Sequence, residues 1–181
     1  MTQSLHPTAQ KGFSLGAEIY QQVRPSYPQE TAIWLQDQLQ IGENSTVVDL
    51  GCGTGKFLPF LIQTQAKVIA VDPVIEMLKQ LQKSYPTITT VQASSEQLPL
   101  NTDTIDAIVC AQSFHWFANL DALKEIHRVL SPTGHLGLIW NQRDIQVDWV
   151  KALADEIAPL EGDTPRYHSE QWKKVFEDQS L

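Results

Sequence analysis

Cysteine is scarce in this chain: Cys52 and Cys110 are the only two among 181 residues, and they form no CxxC pair. A disulfide framework or a thiolate zinc site needs more sulfur at closer spacing. Two packed, reduced thiols are therefore expected. Basic residues are also few. Thirteen Lys and Arg face 21 Asp and Glu, a net charge of −8, with no basic run. Nucleic-acid binders carry a basic face, and adsorption to anionic lipid needs a polybasic segment, so neither partner is expected. Long apolar runs are missing too. A stretch such as Ile108-Val109-Cys110-Ala111 is far too short for a bilayer, and residues 1–10 lack the apolar core of a secretory signal. A cytoplasmic location is the expectation. No repeat or low-complexity tract occurs. No histidine has a second ligand at helical or hairpin spacing, so no metal site is expected.

What the chain does have is short apolar runs alternating with helical stretches. Val47-Val48-Asp49-Leu50 reads as a buried strand, followed by a helix over residues 55–63. Lys67–Asp72 reads as a second strand. A helix over residues 74–83 follows, with Met77, Leu78 and Leu81 on one face. Residues 88–92, Ile105–Ala111 and residues 134–140 read as three more strands. The last follows a helix over residues 119–130 and a turn at Ser131-Pro132-Thr133-Gly134. Helices are also expected over residues 29–40 and 145–160, and another over 170–177. Five apolar strands separated by helices imply a doubly wound, mostly parallel α/β sheet. Right-handed crossovers then put helices on both faces. All strand ends fall on one edge, where ligands bind in open α/β sheets.

The most informative segment is Asp49-Leu50-Gly51-Cys52-Gly53-Thr54-Gly55, between a strand and a helix. Its glycines permit a tight turn and close approach of a ligand to backbone N–H groups. A dinucleotide fingerprint wants a further glycine at the sixth position, but that position is Lys56 counted from Gly51 and Leu58 counted from Gly53. Asp49 would also face a pyrophosphate with like charge. At ~5 Å and an effective dielectric of ~20, the repulsion is about 3 kcal/mol. A cationic nucleoside inverts that sign. Asp72 lies 21 residues after Gly51. An acid at about that spacing binds ribose hydroxyls, and it equally suits a cap for the next helix.

These residues resemble the first motif of class I S-adenosylmethionine-dependent methyltransferases. Val71-Asp72-Pro73, Glu96-Gln97-Leu98-Pro99-Leu100 and Arg128-Val129-Leu130-Ser131-Pro132-Thr133-Gly134 resemble later markers of that family in order and spacing. Tyr20-Gln21-Gln22-Val23-Arg24-Pro25-Ser26-Tyr27-Pro28 and Ala111-Gln112-Ser113-Phe114-His115-Trp116-Phe117 are similar to the methyltransferase type 11 group, near the trans-aconitate type that acts on small molecules. The resemblance implies a Rossmann-like fold and S-adenosyl-L-methionine as cofactor. Asp49, Gly51, Cys52 and Gly53 would hold its methionine part and Asp72 its ribose, while Pro73 and Met77 would line the adenine slot. Ser94, Ser95 and Glu96 would reach the adenine amine, with Ser94 standing where many relatives have Asp. Gln112 would sit beside the cofactor. Residues 1–40 would form an N-terminal helical lid and residues 41–181 the cofactor-binding body. The family sheet ends in two further strands that are not evident here. The expectation is a truncated chain, or an edge that pairs in a dimer, so that a monomer and a homodimer both stay open.

On the acceptor side, Tyr20 and Trp116 suit aromatic walls beside a sulfonium. Arg24 suits either an acidic substrate or a brace for the lid. His115 is the candidate catalytic residue, either as general base or as hydrogen-bond partner to a carboxylate that needs no base. The expected activity is in-line methyl transfer to a small molecule, a carboxylate if the resemblance extends that far. The alternatives are a non-catalytic S-adenosylmethionine-binding protein and an NAD-dependent oxidoreductase.

Overall fold

In a computed structural model, which describes residues 25–177, five strands form one parallel sheet in the order β3-β2-β1-β4-β5. The strands are β1 (Thr46–Leu50), β2 (Lys67–Asp72), β3 (Thr89–Gln92), β4 (Ile105–Ala111) and β5 (Leu130–Ile139). The helices are α1 (Thr31–Leu39), α2 (Leu58–Gln63), α3 (Ile75–Ser84), α4 (Leu120–Val129) and α5 (Asp148–Ile157). The expected doubly wound, Rossmann-like α/β fold is observed.

Strand alternation divides the core. Val47, Val68, Ala70, Ala107 and Val109 face one side, against Leu35 of α1, Leu61 of α2 and Leu81 of α3. Val48, Leu50, Val71, Ile108 and Cys110 face the other, against Leu123, Ile126 and Val129 of α4. With helices on both faces, the central strands have no polar side, and this is why they read as continuous apolar runs. Burying each Val or Leu side chain contributes about 1.5–3 kcal/mol.

Two local expectations shift. The helix after β1 starts at Leu58 and not at residue 55. Gly51, Gly53 and Gly55 have φ of 74°, 54° and 84°, a left-handed region that no α-helix contains. Residues 51–57 are therefore a turn, with Pro59 in the first helical turn beyond it, where its missing N–H costs nothing. The Ser131-Pro132-Thr133-Gly134 turn lies inside β5. Ile105 pairs with Leu130, and the next pair joins Ala107 to His135. Residues 131–134 loop out where α4 runs directly into the strand. Helices α1, α4 and α5 are one to three residues shorter at each end than expected, α3 is shifted by one residue to Ile75–Ser84, and residues 158–160 and 171–177 are 3-10 turns.

Beyond α5 the chain folds back on the β4–β5 side. Trp172 packs against Trp140 with ring centroids 4.6 Å apart and against Tyr167 at 5.6 Å. Phe114, fully buried, stacks on Phe176 at 5.6 Å. β5 is an edge of the sheet. Tyr20 and Arg24 lie outside the described residues, as does most of the expected 1–40 lid.

Candidate functional site

The carboxyl ends of β1, β2, β4 and β5 converge on a cavity of about 350 Å³, within the usual range of roughly 300–1,000 Å³ for small-molecule sites. Asp49, Gly51, Cys52 and Gly53 line it from β1 and its turn; Asp72, Pro73 and Met77 line it from β2 and α3. Gln112 and Trp116 close it from the β4 side.

The two acids are held differently. Asp72 accepts from the Gly53 amide at 2.9 Å through Oδ2 and from the Val74 amide at 2.8 Å through Oδ1. Burial raises its pKa to about 6 against those two bonds. The bond to Val74 makes Asp72 a brace for the start of α3, while the bond to Gly53 ties the glycine turn to β2. Asp49 has neither kind of support. It is 1% exposed, and among the described residues neither of its oxygens has a hydrogen-bond partner. Burial and the nearby Asp72 charge push its pKa up to about 8. An unpaired buried carboxylate costs several kcal/mol when ionised, so a site that keeps one is arranged for a cation.

Backbone geometry shapes the floor. A Cβ on Gly51 would lie 2.5 Å from the Ser113 Cβ, whereas a Cβ on Gly53 would meet nothing within 4 Å. Gly51 is thus required by the fold and Gly53 opens on free space. Ser113 Oγ donates to the Leu50 carbonyl at 2.6 Å. Gln112 adopts φ 59°, which for a non-glycine residue costs on the order of 1–2 kcal/mol. Its amide donates to the Ile139 carbonyl at 2.8 Å and its Nε2 to the Asn141 carbonyl at 3.2 Å, joining the ends of β4 and β5.

Burial drives both thiols well above their ordinary range, so Cys52 lines the cavity as a protonated apolar group and is no nucleophile. Ser94, Ser95 and Glu96 are not brought to this cavity. Ser95 is buried, and Glu96 Oε1 accepts from Asn119 Nδ2 at 2.9 Å at the start of α4. His115 lines a second cavity of about 430 Å³ instead. Residues that sequence reasoning missed include Lys56, Ser113 and the post-β5 segment Gln142-Arg143. The strand-end rule pointed to the region of Asn141, and nothing in the exposed polar sequence after it marked Arg143. Among the described residues, no group of three His, Cys, Asp or Glu side chains is arranged to hold a metal, and no helix is long and apolar enough to cross a membrane.

The chain is similar to known proteins over most of its length. Residues 48–138 match the model of the methyltransferase domain. An uncharacterized methyltransferase-like protein of Schizosaccharomyces pombe is 41% identical over 92% of the chain, which spans 65% of that relative. An uncharacterized methyltransferase of Mycobacterium tuberculosis is 36% identical over 94% of the chain, which spans 72% of it. The crystal structure of a SAM-dependent methyltransferase from Aquifex aeolicus superposes with a TM-score of 0.57 at 24% identity, covering 78% of this chain and 87% of that one; this likeness concerns the fold.

Proposed function

Because this chain belongs to the methyltransferase domain family, we propose that it transfers a methyl group from S-adenosylmethionine to a small-molecule acceptor, in its narrower form a carboxylate. The observation that carries the reading is Asp49, an unpartnered buried carboxylate on the wall of the first cavity. With its pKa raised to about 8, Asp49 ionises readily only beside a positive charge, and a diphosphate brings none. A ligand bearing an ammonium and a sulfonium supplies the missing countercharge.

The residues present fit such a ligand. Asp49, Gly51, Cys52 and Gly53 would hold its methionine part, Asp72 its ribose, and Pro73 with Met77 the adenine. Lys56, on the same wall and without an ion pair among the described residues, would face its carboxylate. Ser94, Ser95 and Glu96 stand away from the cavity, so the adenine slot rests on Pro73 and Met77. When bound, S-adenosylmethionine supplies a methyl carbon on sulfur as the electrophile. Asp49 keeps the cationic end in place, the Gly53 turn admits the ligand against backbone, and the rings of Trp116 and Phe117 exclude water. Alignment of this kind, without a covalent intermediate, suffices for a direct displacement.

The net charge of −8 supports a small-molecule acceptor over a nucleic acid, and two buried reduced thiols are consistent with a cytoplasmic setting. Calorimetry with S-adenosylmethionine, its demethylated product and NAD tests the reading. Binding of the first two and none of NAD is expected. Tight NAD binding without uptake of either sulfur compound would sink it.

A further inference from the structure

The donors of the turn after β1 are engaged within the chain and leave one acid without support. The Gly51 and Cys52 amides both donate to the Val71 carbonyl, at 2.8 and 3.1 Å, and the Gly55 amide donates to the Cys52 carbonyl at 2.9 Å. The Gly53 amide goes to Asp72. The Ser113 hydroxyl donates to the Leu50 carbonyl, and the Cys52 thiol is directed at the Gly53 carbonyl at 3.8 Å. Asp49 thus stands buried on the cavity wall, with neither oxygen hydrogen-bonded among the described residues. An ionised carboxylate there would be an uncompensated buried charge, so without a ligand the acid holds its proton. Its pKa of about 8, raised by burial and then by the Asp72 charge, agrees.

The groups around this acid fix a charge balance. Asp72, with two amide donors and a pKa of about 6, is ionised at pH 7. Lys56 lines the same cavity from the turn. Cys52 and Cys110 are thiols that burial keeps protonated. Tyr27 also lines the cavity, and a phenol is uncharged near pH 7. Arg143 is exposed at the rim, where water and salt screen it. With Asp49 protonated, the Asp72 carboxylate and the Lys56 ammonium cancel. S-adenosylmethionine carries an ammonium, a sulfonium and a carboxylate, so it brings one net positive charge, which an ionised Asp49 balances. S-adenosylhomocysteine has a neutral sulfur and no net charge. Beside it, an ionised Asp49 would again be uncompensated.

We infer that Asp49 exchanges its proton for the sulfonium charge, and so sets the preference of this cavity for the methyl donor over the demethylated product. The inference rests on the methyltransferase reading above. As the donor binds, Asp49 gives its proton to water and becomes the countercharge. Once the sulfur is neutral, Asp49 takes a proton from water again, and the product is held without that charge pair. The two proton transfers cancel over one turnover.

The test is calorimetry at pH 7 in two buffers of unequal ionisation enthalpy, with S-adenosylmethionine and S-adenosylhomocysteine as probes. The first is expected to release about nine-tenths of a proton, and the second close to none. Affinity for S-adenosylmethionine is expected to be about eightfold higher at pH 7.5 than at pH 6.5, while that for S-adenosylhomocysteine stays within about twofold. Infrared spectra of the ligand-free protein should show a protonated-carboxyl band that S-adenosylmethionine removes, S-adenosylhomocysteine leaves and Asp49→Asn lacks. Asp49→Asn keeps the shape and neutrality of the protonated acid. It is expected to bind S-adenosylhomocysteine within a few-fold of the parent protein and S-adenosylmethionine about a hundredfold more weakly. Asp72→Asn, saturated with S-adenosylmethionine, should still release the proton. Equal release by both ligands, release lost in Asp72→Asn, or an equal loss of both affinities in Asp49→Asn would overturn the proposal. Binding of S-adenosylmethionine without proton release would overturn it alone, whereas binding of neither sulfur compound would remove the cofactor reading as well.

Discussion

Asp72 accepts the Gly53 amide across 2.9 Å, and this one bond joins the turn after β1 to the end of β2. The cavity wall is thereby organised by the chain itself. Asp72→Ala gives up this bond and the one to Val74 but also removes a buried charge. The two effects offset, so stability is expected to change by about 1 kcal/mol or less. Cofactor affinity is expected to fall about a hundredfold, since two charge-assisted bonds to ribose hydroxyls would be lost. Urea denaturation beside calorimetry measures both. An unchanged affinity would leave Asp72 only its role as a brace for α3.

Asp49 makes stability depend on pH in an unusual direction. Its folded pKa, raised to about 8 from 3.8, means that the folded state binds a proton over a range where the unfolded chain has lost it. Stability then rises as pH falls through 8 and levels off below 4. Between pH 8 and pH 6 the ligand-free protein is expected to gain about 2 kcal/mol. Asp72, raised to about 6, acts in the same sense lower in that window. Asp49→Asn is expected to flatten the upper part of the profile and to abolish cofactor binding. Parallel profiles for parent and variant, in urea titrations at pH 6, 7 and 8, would contradict the assignment.

The glycines of the turn separate folding from binding. Gly51→Ala forces a Cβ within 2.5 Å of Ser113 at φ 74°. The strain and the overpacking each cost about 1–3 kcal/mol, so a large fall in melting temperature is expected. Gly53→Ala meets open space and pays only the cost of its φ, about 1–2 kcal/mol. Its Cβ occupies the ligand's side of the turn, and cofactor affinity is expected to drop more than tenfold while the fold survives. Thermal melts with and without S-adenosylhomocysteine distinguish the two. Equal melting losses would mean that the turn has one role, not two.

The sequence displayed the sheet well because its central strands are buried on both faces. Val47-Val48 and Ile108-Val109-Cys110 have no polar side to confuse their reading. It also displayed the cavity, because strand ends in a parallel sheet share one edge. It did not show that Gly55 keeps α2 from starting before Leu58, because a glycine's φ is not visible from its neighbours. Nor did it show that Glu96 is bound to Asn119, a partner 23 residues away. β3 is a short edge strand, and the residues that follow it turn toward α4 instead of the cavity. The Trp140–His115 bond spans 25 residues and exists only because β4 and β5 lie side by side. The sequence left His115 as a general base or a hydrogen-bond partner; it gave no sign that an indole N–H would occupy its Nδ1.

Trp172 is the ring on which the segment after α5 depends. It touches Trp140, Tyr167, Phe114 and Phe176, and its Nε1 donates to the Tyr167 carbonyl at 3.0 Å. Most of its neighbours in residues 171–177 are exposed, so little else holds that turn to the sheet. Each aromatic pair contributes about 0.5–1.5 kcal/mol beyond burial. Trp172→Ala is expected to release residues 158–177 locally, because the strands and α1–α4 keep their own core. Glu161, Arg166, Tyr167 and His168 all line the second cavity, while none of the residues lining the first comes from this segment. Hydrogen exchange should therefore rise across residues 158–177 and not in β1 or β4. The affinity for S-adenosylhomocysteine should hold. If that affinity fell as well, the two cavities would have to be one structural unit, and the segment would support the whole site.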